Sequence, residues 1–366
     1  MESNLTEYEP YKSETLVSFY KWYTGVHGYL SILVCVFGIP MNLINITVLS
    51  QKHMRTPINC ILTWLAVSDL LTMTSYVPFA IHFYCVYPPW EASPEKNSQG
   101  WMQFILFHIN FSAATHTVSI WLGVTLAIFR YKHIYSPAKG AITRIRRLVR
   151  ARIAVVMIYV LSAVGLTPNY MTNKLTHSLN GNNETIYHFE NLGLGTSDVK
   201  PVVLLNLWMY SLLAKLLPCI LMVVYGGLLV WTLKSKLRHK RRRLSCTSAT
   251  MQRPLDNSRT TRMLLIVIVL FLITEFPQGI LIIISVTSKG FFKNVYIPLG
   301  DLMDMVALIN NGVNFVLYCA MSRDFRRTLM DLLKMAVMPN AKQTVANGIN
   351  NTDSERSNTA LILRMT

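Results

Sequence analysis

Five charged side chains stand alone or in a pair inside otherwise apolar stretches of this 366-residue chain: Asp69 within 58–83, Lys215 within 202–233, Glu275 within 263–288, and Asp301 with Asp304 within 295–320. In a membrane each such charge costs at least about 2.5–3.5 kcal/mol on insertion scales, so each is a candidate for function. Asp69 closes the run Leu65-Ala66-Val67-Ser68-Asp69, and Ser119, Asn310, Asn311 and Asn314 offer neutral polar groups from other stretches. One carboxylate with several neutral oxygens suits a small hard cation such as sodium. The same residues also suit a protonated Asp69 that hydrogen-bonds the asparagines, and both readings stay open. Lys215, three residues before Pro218, either pairs with a buried acid or snorkels to an interface, and the second is the preferred reading. Asp301 and Asp304 are three residues apart and share one helix face. Asp304 lies about 15 Å along the axis from Asn314 at 1.5 Å per residue, so both acids fall near one end of their stretch. Asp301 can equally be a solvated loop charge.

No catalytic constellation accompanies these groups. The apolar stretches contain no His-Glu-x-x-His or Gly-x-Ser-x-Gly, and the six cysteines lack metal-ligand spacing. The expectation is a protein that is not an enzyme and needs no cofactor beyond that possible sodium ion.

The elements that position these residues follow from composition. Hydrophobic residues make up 52% and charged ones 14%, against roughly 25% charged in a soluble domain. Positions 22–51, 97–129 and 153–173 contain no Asp, Glu, Lys or Arg. With the four stretches above, that makes seven segments long enough to cross a hydrocarbon core of about 30 Å as helices. Backbone groups must be paired in lipid, and segments of this length without period-2 alternation exclude a barrel. The fold predicted is all-α, a bundle of seven transmembrane helices.

The net charge of +17 is placed, not spread: 27 of the 35 Lys and Arg fall in 52–55, 130–152, 234–262 and 323–364, after alternate spans. That asymmetry predicts an extracellular N-terminus and a cytoplasmic C-terminus in a multi-pass plasma-membrane protein. The basic run Lys240–Arg243 then faces anionic lipid or a protein partner, with no nucleic acid implied. Met1–Glu14 is acidic and lacks an apolar core, so the first span is expected to act as its own insertion signal. Asn4 and Asn183 head glycosylation acceptor sequons on the predicted outer side. The chain divides into an outer tail (1–26), the seven-helix domain (27–334) and a polar tail (335–366) expected to be disordered. Residues 322–334 read as a short amphipathic helix at the membrane surface, with Phe325, Leu329, Leu332 and Leu333 opposite Arg323, Arg326 and Arg327.

Several of these landmarks carry a resemblance. Leu65-Ala66-x-x-Asp69, Phe129-Arg130-Tyr131, and Asn314-Phe315-Val316-Leu317-Tyr318 followed by Phe325 resemble the pattern of rhodopsin-like G-protein-coupled receptors, with Arg130 eleven residues after Ser119. The resemblance implies that Arg130, with Tyr131, engages a heterotrimeric G protein once the sixth helix swings out at Pro277. It also implies that Asn314 and Tyr318 repack to hold the open state, and that Asp69, Ser119, Asn310 and Asn314 form a sodium site. The departures are specific. Phe129 replaces the acid before the arginine, Phe315 replaces a proline, Tyr159 stands where the fourth helix carries tryptophan, and Glu275 stands where a pivoting tryptophan is expected. The cysteine expected near Ile105 is missing, and the loop at about 172–200 has none.

Phe129-Arg130-Tyr131, Thr274-Glu275-Phe276-Pro277-Gln278-Gly279, His53-Met54-Arg55-Thr56-Pro57 and Phe107-His108-Ile109-Asn110-Phe111 together are similar to the branch of insect myosuppressin receptors and their nematode relatives. That branch implies an amidated, FMRFamide-like neuropeptide ending in Arg-Phe-amide, and coupling to Gi/o-type G proteins. A ligand guanidinium is then expected on Asp304 and Asp301, which suit a bidentate, charge-assisted pair. Glu275 takes the terminal amide or binds Lys215 instead, and Trp101, Phe104, Trp208 and Tyr210 are candidates to wall the ligand phenylalanine. An amine receptor needs an acid where Ser112 stands, and an opsin needs a lysine between Asn294 and Phe325, where none occurs. A transporter or channel using the same intramembrane charges is the alternative from another class.

Overall fold

The computed structural model describes residues 11–137, 140–179, 181–190, 200–244 and 253–337; Asn4 and the part of the tail from 338 onward lie outside them. Seven helices are long and apolar enough to cross a membrane: Glu14–Leu49, Pro57–Val86, Gln99–Tyr135, Ala141–Thr172, Pro201–Lys236, Ile266–Thr287 and Phe292–Ala320. They are called the first to seventh spans below. Capping sets where they start. Ser13 Oγ accepts from Leu16 N at 3.4 Å to open the first span. Thr56 Oγ1 accepts from Asn59 N at 3.1 Å to open the second, with Pro57 in the first turn, where its missing N–H is harmless. The fourth span starts twelve residues before the charge-free block at 153, because Arg144–Arg152 continue it as good helix formers. Large apolar side chains such as Leu33, Val36, Phe37, Val160 and Val223 are more than half or nearly half exposed, as expected of a surface solvated by lipid.

Polar contacts align the spans. Tyr159 of the fourth donates or accepts with Ser68 Oγ at 2.8 Å and reaches the Trp64 carbonyl, and its ring lies edge-on to Trp64 with centroids 5.7 Å apart. The tyrosine thus packs the fourth span onto the second from the position where the family resemblance expects tryptophan. Three spans carry a stretch of wide π-type turns: Ile81–Val86 at the end of the second, Tyr210–Leu216 within the fifth, and Phe292–Tyr296 at the start of the seventh. Such turns often mark functional positions in helices.

The bundle is helical as expected, and one small sheet accompanies it among the described residues. The loop at about 172–200 holds an antiparallel hairpin, β1 (Leu175–Leu179) and β2 (Thr185–Phe189), paired in register from Leu175 with Phe189 to Leu179 with Thr185. Asn183 at its tip is exposed and left-handed, with φ 61°, a conformation asparagine tolerates better than most residues. The hairpin is pinned to the start of the third span. Tyr187 N donates to the Asn97 carbonyl at 3.1 Å, and Asn97 Nδ2 donates to the Tyr187 carbonyl at 3.0 Å. The preceding residue, Lys96, is buried, and its ammonium donates to the carbonyls of Pro88, Pro89 and Glu91 at 2.6, 3.1 and 3.0 Å. Burial holds that ammonium below its ordinary pKa, and the carbonyl cage is what makes its position tolerable.

Residues from Ser322 onward form a second compact unit. Its helix runs Arg323–Val337, three residues beyond the expected end. Ser322 Oγ caps it by accepting from Phe325 N at 3.2 Å.

Candidate functional site

The half of the bundle that carries the hairpin encloses a cavity of about 480 Å³. The second span contributes Thr72, Tyr76 and Phe79, and the third His108, Ser112 and His116. Asn169, Thr172 and Asn173 close one side from the end of the fourth span, next to Asn206 and Tyr210 of the fifth. The sixth and seventh spans add Gln278, Phe292, Tyr296, Asp304 and Asn311. Two of the π-type stretches lie here, one bringing Tyr210 and Lys215 to the cavity and the other Phe292 and Tyr296.

Asp304 is the acidic residue of that lining. It is open to the cavity, and among the described residues it makes no hydrogen bond or ion pair. Asp301, one turn away, is committed elsewhere. It accepts from Thr24 Oγ1 and from the Tyr84 hydroxyl, both at 2.8 Å, and so ties the seventh span to the first and second. It is therefore neither a solvated loop charge nor a cavity wall. Sharing a helix face did not bring the two acids to one task.

The preferred reading of Lys215 is overturned. It is 0% exposed and donates to Glu275 Oε2 at 2.6 Å. The wide turns of Tyr210–Leu216 shift the helical register so that Lys215 points into the bundle rather than towards an interface. Glu275 also receives His116 Nε2 at 3.1 Å on the same oxygen and Thr274 Oγ1 at 2.9 Å on the other. Of the two expected roles for Glu275, the structure places it on Lys215. Among the aromatic candidates Tyr210 lines the cavity, whereas Trp101, Phe104 and Trp208 do not. Trp101 stacks on His82 with centroids 3.7 Å apart, and Phe104 packs beside Trp101 and His108. Tyr76, Phe79, Phe292 and Tyr296 are the cavity aromatics that inspection of the chain missed.

A network of asparagines was also missed. Asn110 Oδ1 accepts from Asn169 and Asn173 at 2.9 and 3.1 Å. Asn206 donates to Asn169 Oδ1 and Thr172 Oγ1 at 3.2 and 3.1 Å. These bonds join the third, fourth and fifth spans in a region where an unpaired amide would be costly. The signal available was four amides inside apolar segments, which spacing alone did not connect.

Deeper in the bundle, Asp69 is 1% exposed. Ser119 Oγ donates to its Oδ1 at 2.8 Å and Asn314 Nδ2 to its Oδ2 at 2.9 Å. These are three of the four residues expected together. Asn310 is buried but makes no hydrogen bond to Asp69 among the described residues. Further along, the Arg130 Nε is buried and unpaired, and no carboxylate among the described residues forms an ion pair with this guanidinium. Tyr131 stacks on Tyr135 with centroids 5.7 Å apart, Tyr318 is buried, and Pro277 lies inside the sixth helix two residues past Glu275. The Lys236 ammonium of the fifth span donates to the Ile134 and Tyr135 carbonyls that end the third.

The comparisons with known proteins fit this arrangement. The profile of a family described as serpentine type 7TM GPCR chemoreceptor Srw matches residues 29–336. The G-protein coupled receptor dmsr-1 of Caenorhabditis elegans is 30% identical over 356 residues, covering 86% of this chain and 69% of that protein. The sex peptide receptor of Drosophila melanogaster is 24% identical, covering 88% and 77%. The FMRFamide receptor of the same fly is also 24% identical, covering 88% of this chain and 55% of that one. Squid rhodopsin shares the fold, with a TM-score of 0.63 over 87% of both chains at 14% identity.

Proposed function

This chain belongs to the seven-helix G-protein-coupled receptors of the Srw type, and from that premise we propose that its ligand is an amidated neuropeptide of the FMRFamide-like, Arg-Phe-amide class. It is a signalling receptor and not an enzyme. The observation that carries the ligand reading is Asp304, a carboxylate open to a cavity and without a protein partner among the described residues. An unpaired carboxylate facing a cavity favours a cationic group, and a guanidinium also finds amide and hydroxyl acceptors around it. Ser112 lines the cavity where an amine receptor carries its acid, which argues for a peptide over a small amine. The names of two similar proteins, a sex peptide receptor and an FMRFamide receptor, point the same way. The myosuppressin-receptor branch and Gi/o coupling rest on the motif resemblance. The hairpin end, with Asn183 as a glycosylation acceptor, faces the cell exterior in this reading, and Asn4 precedes the first span on the same side, because 27 of 35 basic residues follow alternate spans.

Screening amidated peptides on cells expressing the full chain, with separate readouts for Gi/o and the other G-protein classes, tests this directly. Arg-Phe-amide peptides should activate the Gi/o readout. Responses confined to non-peptide ligands, or electrogenic transport without any G-protein signal, would reject it.

Asp69 is read as the anchor of a sodium ion that favours the resting receptor. The residues fit: a fully buried carboxylate meets only neutral donors, the hydroxyl of Ser119 and the side-chain amide of Asn314. An activating peptide should then bind less tightly in sodium than in a bulky organic cation at equal ionic strength. Asp69→Ala should remove the difference. A binding curve indifferent to sodium in the unaltered receptor would favour a protonated Asp69.

A further inference from the structure

Behind the cavity wall lies a buried ion pair whose donors are not all spent. The carboxylate of Glu275 is fully engaged by Lys215, His116 and Thr274. The ammonium of Lys215 is not. It carries three N–H donors, and among the described residues it makes one hydrogen bond, to Glu275, with the Tyr210 ring face 5.5 Å away. His116 and Tyr210 line the cavity, and Lys215 belongs to the same wall with its side chain 0% exposed, so an acceptor meets the ammonium only when the neighbouring side chains shift; Glu275 does not line it. A buried ammonium with unused donors beside a cavity favours an oxygen acceptor over any further cation.

The pair also lies beside a close approach of the fifth and sixth spans. A Cβ added at Gly279, one turn beyond Glu275, would meet Leu216 Cδ2 at 2.9 Å and Lys215 Cβ at 3.1 Å. Ser211 Oγ donates to the Gly279 carbonyl at 2.9 Å. The ion pair therefore acts across a contact with no room to spare, and His116 extends it to the third span.

We propose that Lys215, with His116 beside it, is a subsite for a carbonyl-type oxygen of the ligand, and that filling it loosens the Lys215–Glu275 bond that holds the sixth span to the fifth. An acceptor sharing the ammonium weakens its hold on Glu275 without any covalent step. A ligand that makes this contact better in the loosened state shifts the receptor towards it. The identity of the ligand rests on the peptide reading above: the terminal carboxamide of an amidated peptide presents such an oxygen, while Asp304 takes the cation.

The test uses the full chain in cell membranes, an amidated Arg-Phe peptide, and the same peptide ending in a phenethylamide, which lacks the terminal carboxamide. On the unaltered receptor, loss of the carboxamide should lower potency about tenfold or more, as expected for a hydrogen bond to a charged group. On Lys215→Met the two peptides should become equipotent, both weak. Lys215→Met with Glu275→Met removes both charges and should raise signalling without ligand several-fold. Equal potency of the two peptides on the unaltered receptor, or discrimination preserved in Lys215→Met, would overturn the subsite. If Lys215→Met does not reach the surface, the double variant decides the same question. Basal signalling unchanged in the double variant would overturn the link between the spans. If no amidated peptide acts on the unaltered receptor, the peptide reading fails, and the basal signal still decides that link.

Discussion

Arg130→Ala is expected to abolish G-protein activation while leaving ligand affinity at the cell surface within a few fold. The residue sits at the end of the third span farthest from the hairpin, with its Nε buried and unpaired. Asp304 and the cavity lie in the opposite half of the bundle, so the substitution removes nothing that touches a ligand. The same geometry predicts a second effect. Phe129 offers no charge to its neighbour, and no described carboxylate pairs with Arg130. The guanidinium is therefore available without first breaking a local ion pair, and the unaltered receptor should signal measurably without ligand. Nucleotide exchange on purified G protein, with surface expression read separately, checks both. A receptor that signals normally with alanine at 130 would reduce Arg130 to a basic anchor at the membrane surface.

Asp304→Arg should cost an Arg-Phe-amide peptide about 2–5 kcal/mol, the range for breaking a charge pair that the bound ligand covers. That is roughly a 30- to 4,000-fold loss of potency. A peptide with glutamate in place of its arginine should recover part of that loss on the variant and be poor on the unaltered receptor. This reciprocal pattern separates a direct contact from a folding defect. Asp301→Asn should behave differently, because Asp301 already holds Thr24 and Tyr84. Its loss should lower the yield of folded receptor more than it changes ligand selectivity. If Asp304→Asn leaves potency unchanged, the ligand arginine is held by another group.

Much of the bundle was legible because a membrane makes charge expensive: gaps in Asp, Glu, Lys and Arg located the spans. Asp69, Ser119 and Asn314 were also legible, since regular helices carry spacing faithfully from one landmark to the next. Lys215 was misread where that regularity fails. One extra residue in a turn displaces later side chains by about 100° of helical rotation, and Tyr210–Leu216 is such a stretch. Trp208 fails for a plainer reason: the regular turns before that break put Val203, Asn206, Leu207 and Tyr210 on the cavity face, and Trp208 lies about 200° of rotation from Tyr210. Gly181 and Asn183 between two short runs signalled the hairpin, but five-residue strands give weak alternation, and the first strand is mostly exposed while the second is largely half-buried. The division of labour between Asp301 and Asp304 was not legible at all. It depends on which side chains the first and second spans present, and no feature within the seventh span encodes that.

The attachment between Asn97 and Tyr187 has a consequence for how this protein matures. A sulfur bridge at such a place must be oxidised once and is then permanent, whereas two amide contacts form as the chain folds and can part and re-form at thermal energies. Assembly of this face therefore needs no oxidase, and thiol reductants have no bond to cut between the hairpin and the start of the third helix.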